Sequence, residues 1–100
     1  MKMYILARES VPIGHAVLAT AHASLAAYPK FRESPEVDAW LAGPFYKVVR
    51  KVNDQEFERS KQFEDHLILT ESELGGQEVA IAFKPRGDWP KAFKFFKLYR

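Results

Sequence analysis

The hydrophobic pattern of the chain predicts an α/β fold, a three-layer α/β/α sandwich around a mixed, mostly four-stranded sheet. Three observations carry this. Short apolar runs alternate with helical segments along the chain. The first run, Met3-Tyr4-Ile5-Leu6-Ala7, is almost continuously apolar, as in a strand covered on both faces. The 100 residues, 47% of them hydrophobic, suffice for one packed core but not for two. The expected organisation is a single domain over residues 1–100.

The elements follow in order. After the strand at 3–7, residues 8–14 form a loop with Pro12 and Gly14, and His15 to Tyr28 contains no Asp, Glu, Lys or Arg. At about 100° per residue, Gly14, Val17, Leu18, Ala21, Leu25 and Tyr28 share one arc, so a helix buried on more than one side is expected. Pro29 is expected to end it. Ser34-Pro35 supplies an N-cap and a first-turn proline for a second helix, which Gly43-Pro44 closes. Tyr46 to Val52 mixes β-branched and charged residues, as a strand nearer a sheet edge does. Asn53-Asp54 caps a helix over about 55–64, with Glu56 and Glu58 near its positive end. Strands are expected at 67–70 and 79–83, with a loop at 71–76 between them. Asp88 is placed to cap a final helix carrying Trp89, Phe93 and Phe96 on one side and Lys91, Lys94 and Lys97 on another.

Composition excludes several functions. Without cysteine there are no disulfides, no cysteine zinc ligands and no thiol nucleophile. No apolar run approaches the roughly 20 residues of a membrane span, and Met1-Lys2-Met3 leads straight into a patterned segment, so no membrane partner and a cytoplasmic location are expected. The net charge of +2 is unevenly spread. Residues 1–83 hold 9 Lys and Arg against 12 Asp and Glu, a net of −3; residues 84–100 hold 6 against 1, a net of +5. A basic end on a slightly acidic body suits an anion, although many such stripes are only a solvated helix side.

Few residues carry chemistry. His15 and His22 stand seven apart, close on the helix wheel but roughly 10 Å apart along the axis, too far for one metal ion. His15 opens a helix, where unpaired amides favour an anion; filling a first-turn position is an equally good account of it. His22 sits in an alanine-rich, uncharged helix, where a partly buried, hydrogen-bonded histidine is the ordinary outcome. Glu71 and Glu73 follow a strand, a common place for functional groups in an open sheet, and equally for solvated acids. No serine has a nucleophile-elbow context, and there is no glycine-rich phosphate loop. Lys84, Arg86, Lys91, Lys94 and Lys97 interleave with aromatic residues, a combination that suits nucleic acid.

The order of motifs resembles the second type of peptidyl-tRNA hydrolase. It rests on Lys2-Met3-Tyr4-Ile5-Leu6-Ala7-Arg8, Ile13-Gly14 opening a helix, Ala21-His22-Ala23 followed by Ala26-Ala27-Tyr28, then Trp40, Lys47-Val48-Val49 and the closing Lys97-Leu98-Tyr99. These span most of the chain. The resemblance implies a compact α/β sandwich, often a homodimer, that hydrolyses the ester between a peptide and its tRNA without metal or organic cofactor. It implies that His22 orients or deprotonates the attacking water and that His15 stands where the family has a lysine that holds tRNA phosphate or stabilises developing charge. The family's two-glycine, two-lysine opening is shortened here to Gly14-His15, its helix glutamine is Ala19, and its Asp-Ala-Gly-Arg-Thr loop is replaced by the segment around Glu71. Glu71 is the substitute for the family's aspartate. The alternative is a catalytically inactive module of the same kind that binds RNA or a protein partner. In either case His15, Lys84, Arg86, Lys91, Lys94 and Lys97 are the candidate nucleic-acid contacts.

Overall fold

A computed structural model describes residues 1–100. The elements are β1 (Lys2–Arg8), α1 (Ile13–Phe31), α2 (Pro35–Ala42), β2 (Tyr46–Val52), α3 (Asp54–Ser60), β3 (His66–Glu71), β4 (Gln77–Phe83), α4 (Ala92–Phe95) and β5 (Lys97–Leu98), with a 3-10 turn at Ser72–Leu74. The strands form one mixed sheet in the order β3-β4-β1-β2-β5. Only β1 and β2 are parallel, Lys2 to Arg8 lying beside Tyr46 to Val52; β1 with β4, β3 with β4, and β2 with β5 are antiparallel.

The sheet has five strands where four are expected. The fifth, Lys97–Leu98, is only two residues long and pairs with Arg50 and Lys51. A dipeptide after a helix has no strand pattern of its own, and its lysine suits an exposed edge. The preceding helix is shorter than the wheel suggests because Trp89 stands before Pro90, which disfavours helical geometry at Trp89; α4 begins only at Ala92 and Asp88 does not cap it. Trp89 and Phe93 are nevertheless buried and Phe96 packs beside them, as their spacing implies.

Central β1 feeds two clusters. Met3 and Ile5 join Ala16, Ala19, Ala23, Ala27 and Phe31 of α1 and Val37 and Trp40 of α2. Tyr4 and Leu6 join Phe57 of α3, Phe83, Trp89 and Phe93. Alternation along a strand sends neighbouring side chains to opposite faces, which accounts for the division.

In α1 the buried side is the alanine side. Val17, Leu18, Leu25 and Tyr28, expected inside, are exposed. Small residues let the helix axis approach the sheet, whose β4 meets it with Ala80 and Ala82, and nothing remains to cover the larger arc. The helix also runs two residues past Pro29, because buried Phe31 anchors its last turn. At α2, Pro35 takes the first turn as expected, but the Ser34 hydroxyl donates to Glu36 Oε2 at 2.8 Å instead of capping the backbone. At α3, Asn53 and Glu56 form a reciprocal capping box, each bonding the other's amide at 2.8 and 2.9 Å. This helix ends at Ser60, and Phe63 beyond it offers its carbonyl to His66 Nδ1 at 2.7 Å.

Candidate functional site

The carboxyl ends of parallel β1 and β2 lie at one end of the sheet. The chain leaves β1 for α1, in the Met3–Ile5 cluster, and leaves β2 for α3, in the Tyr4–Leu6 cluster. Connections diverging from neighbouring parallel strands open a crevice, the usual place for a ligand in an open sheet. β3 runs in the same sense as β1, so Glu71 ends at this same edge, and β5 starts there with Lys97 opposite Lys51.

The turn after β3 draws the acidic residues toward α1. Pairing slips between Leu69 and Thr70, Leu69 facing Ala80 but Thr70 facing Glu78, and a slip of this kind re-aims the side chains beyond it. Gly75 and Gly76 then turn the chain with φ of 69° and 82°, values that favour glycine. Glu71 Oε2 accepts from the Glu73 amide at 3.0 Å, which caps the 3-10 turn. Glu73 Oε1 in turn stands 3.5 Å from His15 Nε2. His15 is half-buried and begins α1, where Ala16 is the first residue whose amide bonds back, to Pro12; the amides of Ile13, Gly14 and His15 precede that first bond, and no side chain caps this end.

His15, Glu71 and Glu73 are therefore brought together, with Glu73 rather than Glu71 touching the imidazole. His22 lies two turns along α1, about 10 Å up the axis, exposed and without a side-chain hydrogen bond; it is not the partly buried, bonded histidine that its alanine-rich surroundings suggest. The basic candidates do not form one surface. Lys84 is largely buried between Glu36 at 3.6 Å and Asp65 at 3.4 Å, a tie within the fold. Arg86 pairs its backbone with Lys2, and its guanidinium sits 5.4 Å above the Trp89 ring. Lys91 and Lys94 are exposed at α4, across the sheet from α1. Lys97 alone reaches the end where His15 lies.

Two neighbours of the site escaped the sequence reading. Arg8, the last residue of β1, donates from Nε to Asp54 Oδ1 at 2.8 Å and from Nη1 to the Glu78 carbonyl at 3.1 Å, with its guanidinium 4.8 Å above the Phe57 ring. That hydrogen bond, then the guanidinium charge, holds the Asp54 carboxyl below the usual carboxylate range. Lys51 donates to the Arg100 carbonyl at 3.1 Å beside the Tyr99 ring. The signal for Arg8 was its place, a lone cation closing an apolar strand; nothing in the sequence singles out Lys51.

No protein-family model matches the chain, and no curated protein matches it significantly. The roles of these residues rest on their chemistry and placement.

Proposed function

We propose that the protein hydrolyses an ester of the peptidyl-tRNA kind, beside the start of α1 where the turn after β3 meets it. The observation that carries this is the His15–Glu73 pair, 3.5 Å apart, beside the free amides that open α1. A carboxylate beside one imidazole nitrogen orients the ring and leaves the other nitrogen to take a proton from water. The water oxygen attacks the ester carbonyl carbon, His15 accepts the water proton, and the free amides of α1 meet the oxyanion that forms. Collapse breaks the bond to the ribose oxygen, which leaves with the proton from His15. Glu71 holds the turn and sets Glu73. His22, farther along the helix, and Lys97, at the sheet end, hold the tRNA backbone, with Lys91, Lys94 and Arg86 acting on more distant phosphates.

The three-layer sandwich belongs to the same proposal, supported by the two clusters on opposite sides of β1. A cytoplasmic location fits a tRNA substrate; no helix is long and apolar enough to cross a membrane.

The test is peptide release from an N-acetylated aminoacyl-tRNA. Wild type releases it, and His15→Ala or Glu73→Gln lowers the rate by about 10²–10⁴ while the circular dichroism spectrum is unchanged. His22→Ala raises KM more than it lowers kcat. A wild-type protein that releases nothing, at any tRNA concentration, defeats the proposal. The second reading, a module that binds RNA without cleaving it, is favoured by one feature: the Glu71 carboxylate is engaged with the Glu73 amide, and His22 has no acid beside it. Salt-dependent tRNA binding without release selects that reading.

A further inference from the structure

α1 packs over β3, β4 and β1, and on that side of the sheet β2 and β5 stay largely bare. A groove therefore runs between the outer flank of α1 and the face of β2. Two open hollows lie along it, one of about 240 Å³ between Val17, Thr20, Val49 and Tyr99, the other of about 270 Å³ between Leu25, Tyr28, Leu41, Phe45 and Lys47. On α1 they are eight residues apart, Thr20 lining the first and Tyr28 the second, or about 12 Å. The hydroxyls between them are already satisfied: Thr20 Oγ1 donates to the Val17 carbonyl at 2.8 Å and Ser24 Oγ to the Ala21 carbonyl at 3.1 Å. Covering them with an apolar partner strands no donor.

The strand wall of this groove is cationic. Alternation along β2 sets Lys47, Val49 and Lys51 on the groove side, and the register places Lys97 directly opposite Lys51, a like-charge pairing that weakens a strand pair. The ion pairs of the fold engage Arg8, His15, Arg32, Lys61 and Lys84, so these three lysines have no acid of their own, and no Asp or Glu lines either hollow. Lys47 Nζ lies 3.4 Å from the centre of the Phe45 ring and 5.3 Å from that of Trp40. Burial there lowers its pKa from the ordinary lysine value, and a carboxylate beside the ammonium would offset that cost. The wall is also fixed in advance. Phe45 holds a φ of 64°, strained for an aromatic residue, against the Trp40 ring at 4.2 Å, and Trp40 Nε1 donates to the Tyr46 carbonyl at 2.7 Å.

We infer that the groove receives an amphipathic helix of a partner protein, its apolar stripe seated in the two hollows and acidic residues along one flank meeting Lys47 and Lys51. Apolar residues seven or eight apart on a helix stand about 10–12 Å apart, which matches the hollows. Acids at the same spacing reach two lysines that are four strand residues, about 13 Å, apart. A helix also bonds its own backbone, whereas an extended segment would find the Tyr46 and Val49 carbonyls already taken by Trp40 Nε1 and the Tyr99 amide. RNA would meet the cations but few open rings, since Trp40 and Lys47 already pack on Phe45 and Lys51 lies over Tyr99; Val17 and Leu25, 63% and 73% exposed, would gain no apolar cover from it. A second copy of this face would set lysines against lysines. None of the residues placed at the ester site takes part.

The probe is a fluorescein-labelled synthetic helical peptide with leucines at i, i+4 and i+7 and glutamates along one flank; its control carries lysines in place of the glutamates. In anisotropy titrations with the full chain, the glutamate peptide should bind with a Kd of about 10–100 μM and the lysine peptide at least about 10-fold more weakly. Lys47→Glu should reverse that order. Leu25→Ser should weaken the glutamate peptide about 10-fold. Thermal unfolding of both variants should be unchanged, because both side chains are exposed. Amide shifts on titration should fall in residues 16–28 and 46–51. Equal affinity for the two peptides, no binding of either, or a preference that Lys47→Glu leaves in place overturns the inference. So does a wild type that sediments at about 100 μM as a dimer dissociated by Val17→Glu, for the groove then holds a second copy, or tRNA binding that is lost in Lys47→Glu. A chain that binds the glutamate peptide and cleaves no ester defeats only the hydrolase; one that cleaves the ester without a charge preference defeats only the groove.

Discussion

The two clusters fed by β1 are built from opposite materials. On the side of α3 and α4, Tyr4, Phe83, Trp89 and Phe93 interlock edge to face, with ring centroids 4.7 Å apart at 69° for Tyr4 and Trp89 and 5.0 Å apart at 88° for Phe83 and Phe93. On the side of α1, the helix sets its alanines against Ala80 and Ala82 of β4 and turns most of its own large side chains outward, with Phe31 and, from α2, Trp40 closing that cluster at one end. The aromatic side is therefore finished by its own residues, whereas the alanine side is stable enough to hold its helix yet leaves that helix's outer surface and first turn free. The candidate site lies on the second side for that reason: both His15 and the exposed face belong to α1.

The difference predicts unequal mutational costs. Phe93 is fully buried and packs against five other aromatic rings, so Phe93→Ala should show the largest loss, about 3–5 kcal/mol in chemical denaturation. A loss under about 1 kcal/mol would mean that the aromatic side is not the rigid one. On the alanine side the damaging change is enlargement. Ala23 is fully buried against the sheet, and Ala23→Leu should cost about 1–3 kcal/mol by forcing α1 outward. The same substitution at Ala21, on the exposed side, should leave the stability of the isolated chain unchanged.

That contrast also marks how far the sequence could be read. The four longer strands and the first three helices follow from apolar runs, caps and prolines, and all appear within a few residues of their expected bounds. The orientation of α1 does not follow, because a helix wheel ranks faces by size of side chain, whereas packing here selects the small side so that the backbone can approach β4. The site is legible to a similar degree. His15 and the acids after β3 are recognisable by type and position, but which acid reaches the imidazole depends on the slip at Leu69–Thr70 and on the 3-10 turn, and neither has a sequence signal. The tail's charge is plain in the sequence; its dispersal is not, since Lys84 is consumed by Glu36 and Asp65 and α4 turns its lysines to the far side of the sheet.

A smaller effect should come from the cap that starts α3. Asn53→Ala removes the acceptor for the Glu56 amide and leaves the reciprocal bond without its partner, at a cost of about 1 kcal/mol, seen as a lower urea midpoint with an unchanged slope. Because α3 contributes Phe57 to the aromatic side, the loss should not alter the rate of the proposed ester hydrolysis, whose candidate residues lie on the other side of the sheet. A change in rate at equal stability would show that the two sides communicate.

The smallest effect should be the one at the boundary between the sides, where Arg8 of β1 holds Asp54 at the start of α3. Asp54 is exposed and solvent screens the pair, so Asp54→Asn should shift the melting temperature only slightly near neutral pH. The sign of its pH dependence is nevertheless fixed. Arg8 lowers the carboxyl's folded pKa below its unfolded value near 3.8, so the folded state favours the ionised form and the stabilisation is present above that value. It is lost as pH falls through the lower, folded value. The melting difference between wild type and Asp54→Asn should therefore be present at about pH 6, shrink as the solution is acidified below the ordinary aspartate range, and vanish once the pH is below the folded value, where both side chains are neutral. It should also shrink in about 1 M salt, which screens the pair. A difference that grew on acidification would mean that Asp54 is held by its place at the helix start through its neutral form, and that Arg8 is tied down by the Glu78 carbonyl alone.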